Sequence, residues 1–221
     1  MLERILSVLP EIGAAMGQTL AMLLVAIPLA VLIGTPLGVW LYTIGPGGLR
    51  HRPRLHRVLD GLVNLVRSFP FLILLIAIIP VTRFIVGTTI GTAAVIVPLT
   101  INAIPYFARF VEQNLSQLGS GVVEAARSMG ASRSQIVRDV LLVEARPGLV
   151  SSITIMTVSF ISYSAMAGLV GGGGIGDFAI RYGYYRYETP LMITAIILMI
   201  LLVTLVQFGG SRLARRLDKR L

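Results

Sequence analysis

Long uncharged apolar stretches alternate with short polar stretches along this chain. A helix needs roughly 20 apolar residues to cross a bilayer, and four stretches meet that length, at about residues 19–42, 84–108, 148–170 and 190–207. A shorter stretch, residues 68–82, can cross at about 1.5 Å per residue only if its helix starts near Asp60 and carries Arg67 near its cytoplasmic end. The pattern therefore predicts five membrane-spanning helices, the second at about residues 60–82.

The composition agrees with an integral membrane protein. Of the 221 residues, 55% are hydrophobic and 13% are charged, and the mean hydropathy is +0.85, whereas a soluble domain carries roughly a quarter charged residues. No internal repeat or low-complexity linker divides the chain, so we expect residues 1–221 to form a single all-α transmembrane domain. The absence of cysteine excludes disulfides and cysteine metal sites.

The basic residues predict the orientation of the chain. If the N-terminus lies outside, only four of the 19 lysine and arginine residues also fall outside, namely Arg4, Arg83, Arg181 and Arg186. The others, including Lys219 and Arg220, then lie on the cytoplasmic side, where membrane proteins carry their excess of such residues. We therefore expect an outer N-terminus and a cytoplasmic C-terminus. This topology and anionic lipid headgroups explain the net charge of +9 without a nucleic-acid partner.

One polar stretch, residues 115–147, contains the sequence EAARSMGASRSQIVRDVLLVEARP. Apolar residues at helical spacing predict a short amphipathic helix in it, through Val122, Ala126 and Met129. Gly130 can end that helix in the left-handed conformation. Ser132 and Gln135 have the spacing of a capping box, so a second helix should begin at Arg133. The spans on either side leave no room for the third packed helix of a DNA-binding helix-turn-helix, which disfavours that interpretation.

This helix-turn-helix resembles the EAA loop of ABC importer permeases. The resemblance rests on Glu124-Ala125-Ala126, Gly130 and Val140-Leu141-Leu142 at the family's spacing. It implies the type I importer permease fold and a cytoplasmic coupling helix that sits in a groove of an ATPase subunit. By the same resemblance, the ATPase-coupling residues are Glu124, Ala125, Ala126, Gly130, Val140 and Leu142. Val143 stands where the family usually has a proline, which affects how the second helix ends.

Other segments resemble the permeases of methionine ABC importers, and this resemblance covers nearly the whole chain. The segments are Tyr163-Ser164-Ala165-Met166-Ala167-Gly168, the glycine run ending in Gly176, Tyr182-Gly183-Tyr184 and Gln207-Phe208-Gly209-Gly210. The resemblance implies a homodimer in the bacterial inner membrane, with two copies of a cytoplasmic ABC ATPase that bind ATP and Mg. It further implies an extracytoplasmic methionine-binding protein, a pathway for L- and D-methionine along the dimer interface, and Met166 as a gate residue.

Polar residues within the spans are further candidates for the translocation pathway, because such groups are costly in lipid and face a cavity or another helix. They are Asn64, Asn102, Ser159, Ser162, Tyr163 and Ser164. Hydrogen bonding between packed helices is the alternative explanation for each of them. Prolines are expected to kink or divide the first three spans, at Pro28, Pro36, Pro70, Pro80, Pro98 and Pro105.

The remaining features leave several interpretations open. The glycine run 171–176 is either a flexible hairpin or bare backbone that approaches a docking protein or the pore mouth. Catalysis has little support, because Lys219 is the only lysine, which precludes a P-loop, and His51 and His56 lie among arginines without a carboxylate pair. A permease for quaternary-ammonium osmoprotectants would need an aromatic cage, and a passive channel would not need the cytoplasmic helix-turn-helix.

Overall fold

The computed structural model describes residues 2–218, and the described residues form helices and turns without a strand. Lys219 and Arg220, which the charge count places in the cytoplasm, lie outside the described residues. In the first part of the chain, the α-helices are α1 Leu2–Ser7, α2 Leu9–Ile44, α3 Pro53–Ser68, α4 Phe71–Ala77, α5 Ile79–Val86, α6 Thr92–Ser116 and α7 Ser120–Ser128. The second part contains α8 Arg133–Gln135, α9 Leu142–Glu144, α10 Arg146–Ala167, α11 Gly174–Phe178 and α12 Thr189–Leu217.

Within residues 2–218, four helices are long and apolar enough to cross a membrane. They are α2, α6, α12 and the segment Arg146–Val170, in which a 3₁₀ turn extends α10. The first, fourth and fifth predicted spans lie on three of these helices. The third predicted span is placed too early, because α6 begins at Thr92 after Gly87 and Gly91, both with positive φ, have turned the chain. The all-helical membrane fold is confirmed.

The second predicted span is not one continuous helix over residues 60–82. Helix α3 ends at Ser68 and α4 begins at Phe71. Pro70 between them has no N–H to donate, and a proline disfavours the α conformation of the residue before it, here Phe69. Helices α3 and α4 are long and apolar enough to cross a membrane only when taken together as a broken span. The described residues therefore contain five candidate spans if this pair counts as one.

Four of the other prolines do not divide the long helices that contain them. Helix α2 continues through Pro28 and Pro36, and α6 continues through Pro98 and Pro105. Membrane helices tolerate proline because neighbouring helices, hydroxyl side chains and local adjustments satisfy the freed backbone groups. Pro70 lies at the break before α4, and Pro80 lies in the first turn of α5, just after the break at Ile78.

The chain divides into two compact units, and each long helix contributes to both. One unit contains Met1–Pro28, Phe69–Asn102 and Thr157–Gln207. Its apolar core packs the start of α2 against α11 and the start of α12, through Val8, Ile12, Ala15, Ile175, Phe178, Tyr182, Leu191 and Ala195. The second unit contains Leu29–Ser68, Ala103–Met156 and Phe208–Leu221.

Ion pairs and hydrogen bonds fasten the N-terminal residues within the first unit. The Arg4 guanidinium donates two hydrogen bonds of 2.7 Å to the Glu188 carboxylate, and these bonds lower the pKa of that carboxyl. The Tyr182 hydroxyl donates to Glu11, which raises the pKa of the phenol. The N-terminal segment is therefore joined to the core of this unit, and from Leu9 onward it is part of α2.

The glycine run 171–176 is held in place by α2, so the flexible-hairpin interpretation is wrong. The N–H of Gly174 donates to Gln18 Oε1 at 2.7 Å, and the N–H of Ile175 donates to Thr19 Oγ1 at 2.9 Å. Glycine is required at Gly173, where φ is +77° and a Cβ would lie 2.5 Å from Gln18 Oε1. The stretch forms an ordered turn after the 3₁₀ extension of α10 and then the start of α11.

In the second unit, α2 and α6 approach closely at two glycines four residues apart. A Cβ at Gly38 would lie 2.3 Å from the carbonyl oxygen of Ala108, and one at Gly34 would lie 2.9 Å from that of Ile104. Small residues let helix backbones come together in this way, so that packing rather than water exclusion holds the pair in a membrane. A small core forms beside this contact from Leu41, Val63 and Ala108 with Leu37 and Leu59.

Candidate coupling and translocation sites

The local structure predicted for the polar helix-turn-helix is confirmed. Helix α7 ends at Ser128, and Gly130 has φ +80°. A capping box follows, in which the Ser132 N–H donates to Gln135 Oε1 at 2.8 Å and the Gln135 N–H donates to Ser132 Oγ at 3.4 Å. The second helix begins at Arg133 as predicted. We call residues 120–144 the coupling segment.

The coupling segment has an inner and an outer face. Ala126, Ile136 and Leu141 are buried, with the last two in the π-helical turn Ile136–Leu141. Val140 and Leu142 are half-buried beside them. The outer face carries Glu124, Ala125 and Gly130, which are all exposed. The residues of the EAA resemblance therefore divide into residues that anchor the segment and residues available to a partner.

Met129 lies on the outer face, although its spacing predicts a place on the buried side of α7. Its side chain is 81% exposed. The reason is that α7 ends at Ser128, one residue before it, so the helical periodicity no longer applies. An exposed methionine is a flexible and polarisable apolar surface that adapts to a binding groove. Met129 thus joins Glu124 as a candidate contact for a partner.

Within the described residues, the Glu124 carboxylate makes no salt bridge. Glu124 and Arg127 line one side of an open cleft. The other side of the cleft is formed by Tyr42 near the end of α2 and by Gly47 and His51 in the turn after it. A charged and exposed side chain without a partner adds little to the stability of the fold. Its position favours a role in contact with another protein.

The two helices that flank the coupling segment are joined near its base. Asn114 on α6 donates from Nδ2 to the Ser152 hydroxyl on α10 at 2.9 Å, and also to the Phe110 carbonyl at 2.7 Å. The helices are close here because Gly148 has no side chain, and a Cβ there would lie 1.9 Å from Asn114 Oδ1. Ser152 is 7% exposed. The ends of α6 and α10 next to the coupling segment therefore form a connected pair.

The candidate pathway residues on α10 divide between two faces. Ser159, Ser162 and Met166 form one exposed stripe with Ile155 and Leu169. Tyr163 points elsewhere, because its ring stacks on Phe71 with centroids 5.0 Å apart and meets Phe160 edge-on at 5.0 Å. The structure thus brings Ser162 and Met166 together on an open face and places Tyr163 in internal packing.

The other polar candidates are inside the protein. Ser164 is buried and donates to the Ile161 carbonyl at 2.7 Å. Asn102 is 1% exposed, and its Oδ1 has no hydrogen-bond partner among the described residues. Asn64 is half-buried, and its amide donates to Asp60 at 3.0 Å and accepts from Arg109 at 3.1 Å. Asn64 therefore belongs to a charged cluster rather than to an open surface.

That charged cluster, between α3 and α6, is a feature that the sequence does not reveal. Arg109 pairs with Asp60 and with Glu112, and His56 Nε2 lies 3.3 Å from Glu112 Oε1. The Arg67 guanidinium lies 5.0 Å above the Tyr106 ring. The only sequence signal is the i, i+3 spacing of Arg109 and Glu112 at the end of α6, which does not predict their partners on α3.

Helices that pair charges inside while exposing apolar faces, together with an exposed polar segment between two spans, define an integral membrane protein. Comparison with known proteins agrees. The family described as "Binding-protein-dependent transport system inner membrane component" matches residues 34–221. The chain belongs to this family, and it is an inner-membrane protein.

Relatives of known name match nearly the whole chain. It is 52% identical over 206 residues to the probable D-methionine transport system permease protein MetI of Vibrio cholerae, covering 93% of this chain and 92% of that protein. It is 47% identical over 203 residues to the D-methionine transport system permease protein MetI of Escherichia coli K12, covering 92% and 94%. The resemblance to methionine permeases is therefore confirmed.

Solved structures match the fold. A chain of the MetNI methionine ABC transporter in an inward-facing conformation superposes with a TM-score of 0.94 at 45% identity, over 99% of this chain and 100% of that one. A chain of an amino acid ABC transporter superposes with a TM-score of 0.73 over 99% and 97% of the two chains, at 19% identity, which shows the fold alone. The type I importer permease fold is confirmed.

Proposed function

We propose that this chain is the permease subunit of an ATP-driven importer that carries methionine across the inner membrane. The observation that carries the proposal is the near full-length identity of 52% to a methionine permease, with a fold that matches the MetNI transporter. The relatives give no support to the quaternary-ammonium alternative. Uptake by the whole assembly, rather than chemistry on this chain, is the expected activity.

The assembly proposed is a homodimer of this chain with two copies of a separate ABC ATPase and an extracytoplasmic methionine-binding protein. The family description, which names dependence on a binding protein, supports the last partner. The sequence supports a separate ATPase, because Lys219 is the only lysine and a P-loop needs one inside a glycine-rich turn. ATP and Mg are therefore bound by the partner, and this chain needs no cofactor of its own.

The coupling segment transmits the ATPase movement in this proposal. Its outer face, with Glu124, Ala125 and Met129, docks in the ATPase groove, and its buried anchors keep it rigid. Closure of the ATPases displaces the segment as a body. The hydrogen bond between Asn114 and Ser152 makes α6 and α10 follow together, so that the inner side of the pathway closes as the outer side opens.

The pathway in this proposal runs along the exposed stripe of α10, between two copies of the chain. Ser162 and Met166 share that stripe, so Ser162 offers hydroxyl contact to the solute and Met166 closes the path as a gate. Tyr163 supports the stripe from behind through its ring contacts, and Asn102 and Asn64 act in helix packing. The N-terminus lies outside in this topology, and the coupling segment in the cytoplasm.

The test is uptake of labelled methionine by cells that lack their own methionine transporters and express this chain with its cognate ATPase and binding protein. The Glu124→Arg variant is expected to insert normally and to lose ATP-driven uptake. Glu3→Arg is the matched control, because Glu3 is also an exposed glutamate but lies far from the coupling segment in the sequence. The control is expected to keep uptake near the wild-type level.

Three results would contradict parts of the proposal. Absence of saturable methionine uptake, with all three proteins expressed, would remove the substrate assignment. If Glu124→Arg yields no detergent-stable protein, the residue has a structural role, because exposed charge changes shift stability by only about 0.5 kcal/mol. Uptake that continues without ATP hydrolysis would revive the passive-channel hypothesis.

A further inference from the structure

A dense basic stretch follows the turn after α2 and enters α3. Six of the eight residues at positions 50–57 are arginine or histidine, and none is acidic. Arg50, Arg52, Arg54 and Arg57 are all exposed. Within residues 2–218, none of these four arginines makes a salt bridge. We call these four arginines the basic patch; it presents guanidinium groups that no carboxylate of the described chain neutralises.

The exposed face of α3 changes from basic to apolar along the helix. Arg54 and Arg57 lie within its first five residues. An apolar stripe at i, i+4 and i+7 follows on the same side, with Val58 61%, Leu62 55% and Leu65 56% exposed. On a soluble protein this stripe would face water at a cost of roughly 1.5 to 3 kcal/mol for each fully exposed side chain. Contact with lipid removes that cost.

The charges on the opposite face of α3 are satisfied inside the protein. His56 faces Glu112 on α6, and Asp60 pairs with Arg109 on the same helix. The charged groups of α3 beyond Arg57 therefore point away from the exposed face, including Arg67, which lies over the Tyr106 ring of α6. The exposed arginines of this region are confined to the start of the helix and the turn before it, which is where a helix entering a bilayer meets the headgroups.

We infer that the basic patch binds the phosphate groups of anionic phospholipids, while Val58, Leu62 and Leu65 contact the acyl chains next to them. Guanidinium groups bind phosphate oxygens in bidentate fashion, and basic clusters beside a membrane helix bind anionic headgroups. An acidic protein surface would neutralise the arginines but would leave the adjoining apolar stripe uncovered. An anionic phospholipid covers both the arginines and the apolar stripe, so we assign it as the ligand of this surface. The inference rests on the membrane placement of α3 and does not depend on the solute.

The experiment measures lipid selectivity of the full chain reconstituted in bilayers, with spin-labelled phosphatidylglycerol and spin-labelled phosphatidylcholine as probes. The wild type is expected to immobilise phosphatidylglycerol in preference. The variant Arg52→Gln, Arg54→Gln, Arg57→Gln is expected to lose that preference. The matched control is the variant Arg127→Gln, Arg133→Gln, Arg138→Gln, which removes three exposed arginines from the coupling segment. This control is expected to retain the preference for phosphatidylglycerol.

Single variants guard against failed insertion of the triple variant. Arg54→Gln or Arg57→Gln alone is expected to lower the relative affinity for phosphatidylglycerol up to about fivefold, since each arginine near an anionic surface contributes about 1 kcal/mol. Equal loss of preference in the basic-patch variant and the coupling-segment control would overturn the inference in favour of general charge. Unchanged preference with loss of ATPase co-purification would assign the patch to a protein contact instead. The lipid-selectivity measurement uses the reconstituted chain and does not require methionine uptake, so the two proposals are tested separately.

Discussion

Removal of Arg109 provides a stability test of the charged cluster between α3 and α6. Arg109 is 15% exposed, and its partners Asp60 and Glu112 are 32% and 12% exposed. The change Arg109→Met keeps a side chain of similar length but removes the positive charge. It leaves two carboxylates in a partly buried site, where His56 Nε2 lies 3.3 Å from Glu112 Oε1.

The size of the effect follows from this burial. Removing one partner of a buried ion pair costs about 3–5 kcal/mol, because the other charge remains desolvated. Asp60 is about one-third exposed, so we expect a loss near the lower end, about 3 kcal/mol. Combining Arg109→Met with Asp60→Asn and Glu112→Gln leaves no unpaired carboxylate. Because neutral replacement of a whole buried cluster is often close to neutral in stability, the triple variant should recover most of the loss.

The assay is unfolding of the purified chain in mixed detergent micelles, followed by the fluorescence of Trp40. The chain has one tryptophan, and Trp40 lies in α2, which packs against α6 in the same unit. A single variant as stable as the wild type would show that the cluster is solvated. A triple variant as unstable as the single variant would show that shape, rather than charge pairing, determines the effect.

Three further outcomes are expected. Gly148→Ala places a Cβ 1.9 Å from Asn114 Oδ1, so the asparagine must leave its bond to α10, and uptake should fall while the chain still folds, as checked by gel filtration. Because Arg4 lowers the pKa of Glu188, the pair stabilises the fold above about pH 4.5 and loses its effect as the pH falls further. The melting temperatures of wild type and Glu188→Gln should therefore differ near neutral pH and converge at low pH. Met129→Asp, at an 81% exposed position, should weaken ATPase co-purification without lowering the melting temperature.

The local structure of the coupling segment could be predicted because it depends on neighbouring residues. The Gly130 turn needs only the left-handed conformation that glycine adopts easily. The capping box needs only a serine and a glutamine three positions apart. Met129 could not be placed, because its exposure depends on the residue at which α7 ends, and helix ends are set by caps and turns that periodicity does not contain.

The bounds predicted for the second span, residues 60–82, differ from the structure for another physical reason. A span predicted from uncharged stretches is extended into charged residues only as far as its length requires, here to Asp60. The structure pairs such charges across helices, so that α3 begins at Pro53 and carries His56 and Asp60 on the face toward α6. The sequence contains the partners but not their distance, because Asp60 and Arg109 are 49 residues apart. The helix break is local and could be anticipated from Pro70.

The pathway candidates show why polarity alone does not locate a transport route. Each polar side chain in a span must hydrogen-bond to something, and its own helix, a neighbouring helix or the pathway can supply the partner. Ser164 bonds to its own helix, whereas Ser162 lies on the exposed stripe with Met166. The distinction depends on which face of α10 is left open, and the Tyr163 ring packs against Phe71 of α4 on a face other than the stripe. Because this contact holds α10 against α4, a change at the half-buried Tyr163 ring should alter the pathway as much as a change at the exposed serine.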